Sequence, residues 1–483
     1  MNKYILINRN RIIVAAIAAA VLFGCKAIQP AAYTKPALAV PDSFQTSGPV
    51  HSGERITKQL VFTDTLLVAL INTAIAQNPD ILIAMQRIEA MRGQLAARKG
   101  AMAPVVGADI SASAQRYGDY TMEGVGNFDT NLSGNIKASQ KAPVPVTPNY
   151  FTGLRSSWEI DLWGKLKQQK RSAYLQLLAS EQGKKFVITS LVSEIAGRYY
   201  ALQALDAKLA IIQSNIALQD SVVSISQVQK EAGRTTELGV QQFKAQALRT
   251  RSMTAEIAAE RIRIENELAY LMGGYPQKIQ PQPVAPEMRM VTRLSGAPQD
   301  LIDLRPDVAE AELLLQAKGA DLVAARAEML PSLNLGAFLG FNAFSGALLF
   351  QTGSVAYGLA GGLTAPLLNK RAIKGQITRT EAEKQQALQQ YRKTVLLAFG
   401  EIQTSLQTIE QLEKMYALNK QETTVLSGAI NISNELYKAG YASYLEVITA
   451  QKTALEAELN LIETQKRMYG SLIGLYRAVG GGW

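Results

Sequence analysis

The chain has 483 residues, 47% of them apolar and 19% charged, with a formal net charge of +10. That length holds two or three average domains, or one elongated duplicated one. Cys25 is the only cysteine and His51 the only histidine, which excludes internal disulfides, cysteine metal sites, His-based catalytic triads and His-x-x-His metal pairs.

At the N-terminus Lys3, Arg9 and Arg11 precede a short apolar core from Ile12 to Phe23, the layout of an export signal. Leu22-Phe23-Gly24-Cys25 resembles the bacterial lipobox, which implies acylation of Cys25 as the first mature residue. A signal-anchor helix with an incidental cysteine is the alternative. Loss of residues 1–24 lowers the formal charge to +7, spread along the chain. No Lys/Arg run is interleaved with aromatics, so nucleic acid is not an expected partner. Downstream no stretch of about 18 apolar residues occurs, so a mature chain that spans a membrane must do so as a β-barrel. Residues 25–60 read as an extended segment.

The rest of the chain is a tandem duplication. Asn78-Pro79-Asp80 opens a segment ending at Ala103-Pro104, and Arg305-Pro306-Asp307 opens one ending at Leu330-Pro331, at an offset of 227. Glu194-Ile195, Ala232-Gly233, Ala247-Leu248, Leu268 and Gly273-Gly274 match Glu401-Ile402, Ala439-Gly440, Ala454-Leu455, Leu475 and Gly480-Gly481, all at 207. The 20-residue drop in offset assigns a longer loop to the first copy, between Pro104 and Asp161. The repeats cover 61–275 and 304–483, joined by a linker or collar over 276–303.

Each repeat contains very long helices. No proline lies between Pro148 and Pro276, or after Pro366, and proline costs a helix interior about 3 kcal/mol. Ile188, Leu191, Ile195, Leu202, Leu205, Leu209, Ile212, Ile216 and Val223 follow alternating steps of three and four, with Arg198 and Gln219 in the remaining slots. Val395, Ala398, Ile402, Ile409, Leu412, Tyr416, Leu426 and Ile430 keep the same frame, a coiled-coil pattern. The spacing predicts helices over about 165–231 and 236–272, then over about 371–479 with a break near Gly440. Glu231-Ala232-Gly233-Arg234 and Lys438-Ala439-Gly440-Tyr441 read as helix-ending turns.

Between the short and long helices, hairpins are predicted over about 104–163 and 331–367. Val106, Ala108, Ile110 and Ala112 alternate with polar or small residues, as do Leu154, Ser156, Trp158, Ile160 and Leu162. Leu333, Leu335, Ala337, Leu339 and Phe341 form a third such face, and Val355, Tyr357, Leu359, Gly361 and Leu363 a fourth. Period-two segments of this length suit outer-membrane strands, and Tyr150, Phe151, Trp163, Phe344 and Phe350 fall where aromatic girdles belong. A soluble sheet over a core is the alternative. Four strands cannot close a barrel, and open edges cannot face lipid, so a membrane reading requires an oligomer.

Ser157-Trp158-Glu159-Ile160-Asp161-Leu162-Trp163-Gly164-Lys165-Leu166 resembles the strand-to-helix signature of the lipoprotein branch of TolC-type outer-membrane factors. Leu304-Arg305-Pro306-Asp307-Val308, with Ala311-Glu312 and Ala324-Ala325-Arg326-Ala327 before Pro331, resembles that branch's second signature. The resemblance covers roughly residues 55–480. It implies a mainly helical fold with a membrane β part: a homotrimer with a twelve-stranded barrel in outer-membrane lipid and a periplasmic α-helical barrel. Two departures stand out. Ala365-Pro366-Leu367-Leu368-Asn369-Lys370-Arg371 replaces an Asp-Gly-Gly turn, and the sequence stops at Gly480-Gly481-Gly482-Trp483 without a C-terminal extension.

The resemblance also implies functional positions. The tips Gly233, Arg234, Thr235, Thr236 and Leu238, and Gly440, Tyr441, Ala442, Ser443 and Leu445, would contact a periplasmic adaptor, and each glycine also reads simply as a helix cap. Asn431, Asn434 and Glu435 would line a periplasmic gate, with a plain solvated helix face as the alternative. Arg155, Glu159, Asp161, Asp109 and Asn334 would line the barrel lumen. No nucleotide-binding loop occurs, and Glu159 and Asp161 beside Arg155 suit lumen lining better than glycosidase chemistry. The expected function is therefore a passive exit duct, with no cofactor and no catalysis, serving an adaptor and an inner-membrane resistance-nodulation-division pump. An ATP-driven type I secretion duct and a structural coiled-coil lipoprotein are the alternatives.

Overall fold

The computed structural model describes residues 33–45, 62, 64–282 and 298–481; Cys25, the export signal and His51 lie outside them. In chain order the elements are α1 (Thr65–Gln77), α2 (Pro79–Gly100), β1 (Val105–Arg116), α3 (Met122–Leu132), β2 (Val146–Ile160), α4 (Lys165–Glu231), α5 (Glu237–Leu271), α6 (Pro298–Asp303), α7 (Pro306–Ala327), β3 (Ser332–Ala343), β4 (Val355–Thr364), α8 (Lys370–Ala439) and α9 (Tyr444–Ala478). Two compact units emerge. Of the described residues, one holds 33–35, 91–177 and 314–387, and the other 36–45, 62, 64–90, 178–282, 298–313 and 388–481. Among the described residues no single helix is long and apolar enough to cross a membrane.

In the first unit the four strands form one antiparallel sheet in sequence order. The register sets Leu339 opposite Leu154 and Tyr357, and Ala108 opposite Leu154. Opposite residues share a face, so the apolar sets of all four strands fall on one side. The β3–β4 connection is short, whereas the β1–β2 connection is long and contains α3. Two indoles pin this unit: Trp158 donates to the Met102 carbonyl at 3.0 Å, and Trp163 to that of Pro331 at 2.6 Å. Trp163 thus brackets the two hairpins, tying the end of the first to the start of the second.

In the second unit the helix frame predicted from the sequence is the buried one. Leu191, Ile195, Leu202 and Ile212 of α4, and Val395, Ala398, Ile402, Ile409 and Leu412 of α8, lie in the core. Arg198 turns outward from its slot to pair with Glu267 at 2.6 Å, while Gln219 stays buried. The second hairpin also carries a polar layer: Asn419 donates to Thr464 at 2.9 Å, where the first hairpin has Ile212 and Ile257.

All four long helices end alike. In each, the closing glycine takes a positive φ: Gly233, Gly273, Gly440 and Gly480. Its N–H returns to the carbonyl three residues back, and the next N–H to the carbonyl five residues before itself, as in Gly233 to Lys230 and Arg234 to Gln229. This is the Schellman arrangement, which satisfies carbonyls that the helix end leaves open. Gly273 and Gly480 are confined further. A Cβ there would sit 2.4 Å from the Gln77 carbonyl oxygen and 2.9 Å from that of Leu304, respectively.

Candidate functional site

The sheet's second face is the polar one. Asp109, Arg155, Glu159 and Asn334 all fall on it, because Asp109 shares parity with Gly107, opposite Arg155, and Asn334 lies opposite Glu159. Arg155 forms an ion pair with Asp109. Its guanidinium carbon lies 4.4 Å from the centre of the Phe151 ring and 5.9 Å from that of Phe338, close enough for cation–π attraction. The two rings meet edge-on at 5.9 Å. Glycine makes room for them: a Cβ on Gly358 would meet Phe338 at 2.5 Å, and one on Gly340 would meet Phe151 at 3.0 Å. Phe151 is therefore part of a buried aromatic platform on the polar face. The girdle expected from its position near a strand end does not include it.

Glu159 pairs with Lys165 at 2.5 Å. Each charged strand residue on this face is thus matched by an opposite charge. Asp161 is different. It lies beyond the end of β2, and its carboxylate accepts from the Leu166 N–H at 3.1 Å and the Lys167 N–H at 2.8 Å. It caps α4, satisfying N–H groups that the first turn leaves open, so its expected place on the strand face is corrected.

The helix tips are exposed and tightly capped. Thr236 accepts from the Gly239 N–H at 3.3 Å, and Glu237 pairs with Lys230. Ser443 and Glu446 form a capping box in which the Ser443 N–H donates to Glu446 at 2.5 Å. Hydrogen bonds from Lys230 hold the Glu237 carboxyl below the usual carboxylate range, and those from Ser443 do the same for Glu446. Arg234, Leu238, Tyr441 and Leu445 point into solvent. Behind them Val222, Phe243, Tyr437 and Val447 form a buried cluster that includes Tyr444 and Ala442 at its margin. Gly239 lies against the Tyr444 ring, where a Cβ would come within 3.1 Å. The two tips are therefore packed together, with their apolar and cationic outer side chains left free.

Of the expected gate residues, Asn431 and Glu435 are exposed and Asn434 half-buried, and Glu435 pairs with Lys438 at 3.0 Å. Spaced i, i+3 and i+4 on α8, the three share one face of the helix. Beside them runs a stripe that sequence reading missed: Leu418, Val425 and Ile432, seven apart on α8 and all exposed. Leu248 and Ile262 of α5 are exposed at twice that spacing. On α8 the core-facing frame hid the stripe, because both recur at the same heptad spacing on one helix.

Comparisons with known proteins agree with this architecture. Residues 70–274 and 297–481 match the outer membrane efflux protein family. The pyoverdine export outer membrane protein OpmQ of Pseudomonas putida is 27% identical over 423 residues, 87% of each chain. The cation efflux system protein CusC of Escherichia coli is 26% identical over 457 residues, 93% of this chain and 95% of the relative. A crystal structure of CusC superposes with a TM-score of 0.82 at 25% identity, covering 93% of this chain and 99% of that one. With a duplicated helical hairpin, a four-stranded sheet of opposite-natured faces and a family match spanning both repeats, the chain belongs to the outer membrane efflux protein family and is an outer-membrane efflux channel.

Proposed function

We propose that the chain works as a homotrimeric exit duct, lowering no chemical barrier and supplying a water-filled route. One observation carries this reading: the sheet has two unpaired edges, β1 and β4, and one apolar face. Unpaired backbone in lipid costs several kcal/mol per group, and four strands do not close. Three copies give twelve strands with no edge left. The exposed heptad stripes on α8 and α5 support the same conclusion for the helices, since they provide apolar seams for neighbours to cover.

In that assembly Asp109, Arg155, Glu159 and Asn334 line the lumen. The tips around Gly233, Arg234, Thr235, Thr236 and Leu238, and Gly440, Tyr441, Ala442, Ser443 and Leu445, receive a periplasmic adaptor that couples the duct to an inner-membrane resistance-nodulation-division pump. Asn431, Asn434 and Glu435 form the gate, with amides where an acidic ring would otherwise bind cations. Cys25 carries the acyl anchor after removal of residues 1–24. Repeats over 61–275 and 304–483, joined through 276–303, make up the mature body. The relatives' names give pyoverdine export by an outer membrane protein in one case and a cation efflux system in the other; a generic tunnel wall is compatible with both.

In-cell cross-linking from Thr236→Cys and Ser443→Cys, with mass spectrometry of captured partners, tests the reading. Capture of an adaptor together with a resistance-nodulation-division pump is expected. An adaptor with an ATP-binding exporter would instead indicate type I secretion. A monomer that captures no adaptor would overturn the duct.

A further inference from the structure

One side of α3, in the long β1–β2 connection, has no partner among the described residues. Its other side is tied to its own loop. Asn127 donates to Thr147 at 3.4 Å, and Asn131 exchanges two hydrogen bonds with the backbone of Ala142, at 2.7 and 2.9 Å. Turned away from those amides, Met122, Val125, Phe128 and Leu132 recur at helical spacing and are 88%, 48%, 59% and 73% exposed. A groove of about 500 Å³ runs beside Val125 and Phe128, bounded by Tyr117, Val144 and Pro145, with Asp119, Asn127, Asp129 and Thr147 along its polar edge. An exposed apolar helix stripe beside a groove with aromatic, valine and proline walls is a surface awaiting cover.

The β3–β4 connection, residues 344–354, has the complementary chemistry. It contains no charged residue, and it carries Phe344, Leu348, Leu349 and Phe350, the last 75% exposed. Topology determines which copy supplies it. β1 ends at Arg116, just before α3, and β4 begins at Val355, just after this loop. When β1 of one copy pairs antiparallel with β4 of the next, those two ends lie side by side.

We propose that α3 clasps the 344–354 loop of a neighbouring copy, with Phe350 entering the groove beside Phe128, so that each seam of the barrel is fastened beyond its strands. This rests on the trimeric reading. The clasp gives each seam a side-chain lock where strand pairing alone would leave an edge able to fray.

Cys25 is the only native cysteine, so paired engineered thiols report cleanly. Val125→Cys with Phe350→Cys in one chain, oxidised in native outer membranes, is expected to give covalent dimers and trimers. Ser113→Cys with Ala356→Cys or Ala360→Cys reports strand closure independently. Strand thiols that link copies while the clasp thiols do not, or clasp thiols that join only within one chain, would overturn the clasp and leave the trimer standing. Failure of both sets removes the trimer and the clasp together. As a second measurement, Phe350→Ser is expected to lower the temperature at which detergent-solubilised trimers separate while the far-UV helical signal is unchanged; an unaltered separation temperature counts against the clasp.

Discussion

Asn78 and Arg305 occupy the same place in the two repeats and perform the same act with different chemistry. The Asn78 amide donates to the Leu271 carbonyl at 2.8 Å, and the Arg305 guanidinium to the Ala478 carbonyl at 2.9 Å. Those acceptors are themselves repeat equivalents, the last residues of α5 and α9. Each repeat thus ties the start of its first long segment to the end of its last helix.

The two ties differ in cost. Arg305 is 3% exposed and also holds Asp307 in a two-pronged pair and Glu401 at 2.8 Å. Removing a buried partner strands the charges it served, at about 3–5 kcal/mol; because Glu401 is partly solvated, Arg305→Ala should fall near the lower figure. Asn78→Ala should cost about 1–3 kcal/mol. Denaturant midpoints of the two variants would measure the difference, and an Asn78 variant as damaged as the Arg305 one would contradict this ranking.

Glycine positions separate in the same way. Gly233→Ala meets only the left-handed backbone penalty, about 1–2 kcal/mol, because nothing lies within 4 Å of its added Cβ. Gly273→Ala adds a collision with the Gln77 carbonyl and should lose clearly more. Thermal unfolding of both variants decides the order.

The Asp109–Arg155 pair, proposed to line the lumen, makes an electrical prediction. Asp109→Asn leaves Arg155 uncompensated on its aromatic platform, and Arg155→Gln leaves Asp109. A unit charge at contact in water is worth about 1 kcal/mol, so permeability ratios should change several-fold, toward anions in the first variant and toward cations in the second. Reversal potentials in planar bilayers under a salt gradient would read both signs. The double variant should return to the parent value, and equal shifts in one direction would refute the pairing.

Asp161→Ala should cost about 0.5–2 kcal/mol through the lost cap while ion selectivity stays at the parent value. A selectivity change like that of Asp109→Asn would return Asp161 to the lumen wall.

Acid should loosen the tips. The Glu237 and Glu446 carboxyls are held below their unfolded value, so their stabilisation is complete above that value and is lost as pH falls through the lower folded one. Hydrogen exchange at residues 237–241 and 444–448 should quicken as pH drops below the ordinary carboxylate range, after correction for intrinsic rates. Exchange that slows over that window would contradict the sign.

Much of this architecture is legible in the sequence because it rests on long-range spacing. The proline-free intervals and the three-four frame through Ile195 and Ile402 need no tertiary information, and strand alternation assigns both faces of β3 without ambiguity. Local exceptions are harder to read. Asp161 continues the period-two pattern after Glu159, yet the helix start at Lys165 needs an acceptor more than the strand needs another residue. Helix α3 contains Gly124, Gly126 and several Asn and Asp residues, all weak helix formers, so its segment reads as loop until Asn127 and Asn131 are seen anchoring it. The proposed gate residues Asn431, Asn434 and Glu435 elude both kinds of reading within one chain, because facing a lumen would be a property of an assembled ring.

The sheet with two open edges has a genetic consequence. Each copy would supply one half of two different seams, so a chain with a damaged β1 or β4 edge would spoil any ring it enters, however sound its companions. Co-expressed with intact chains, such an allele would act dominantly, and in random three-copy mixing the working fraction would fall roughly as the cube of the intact share. Edge-strand mutations would then be more harmful in a mixed population than deletion of the gene copy that carries them.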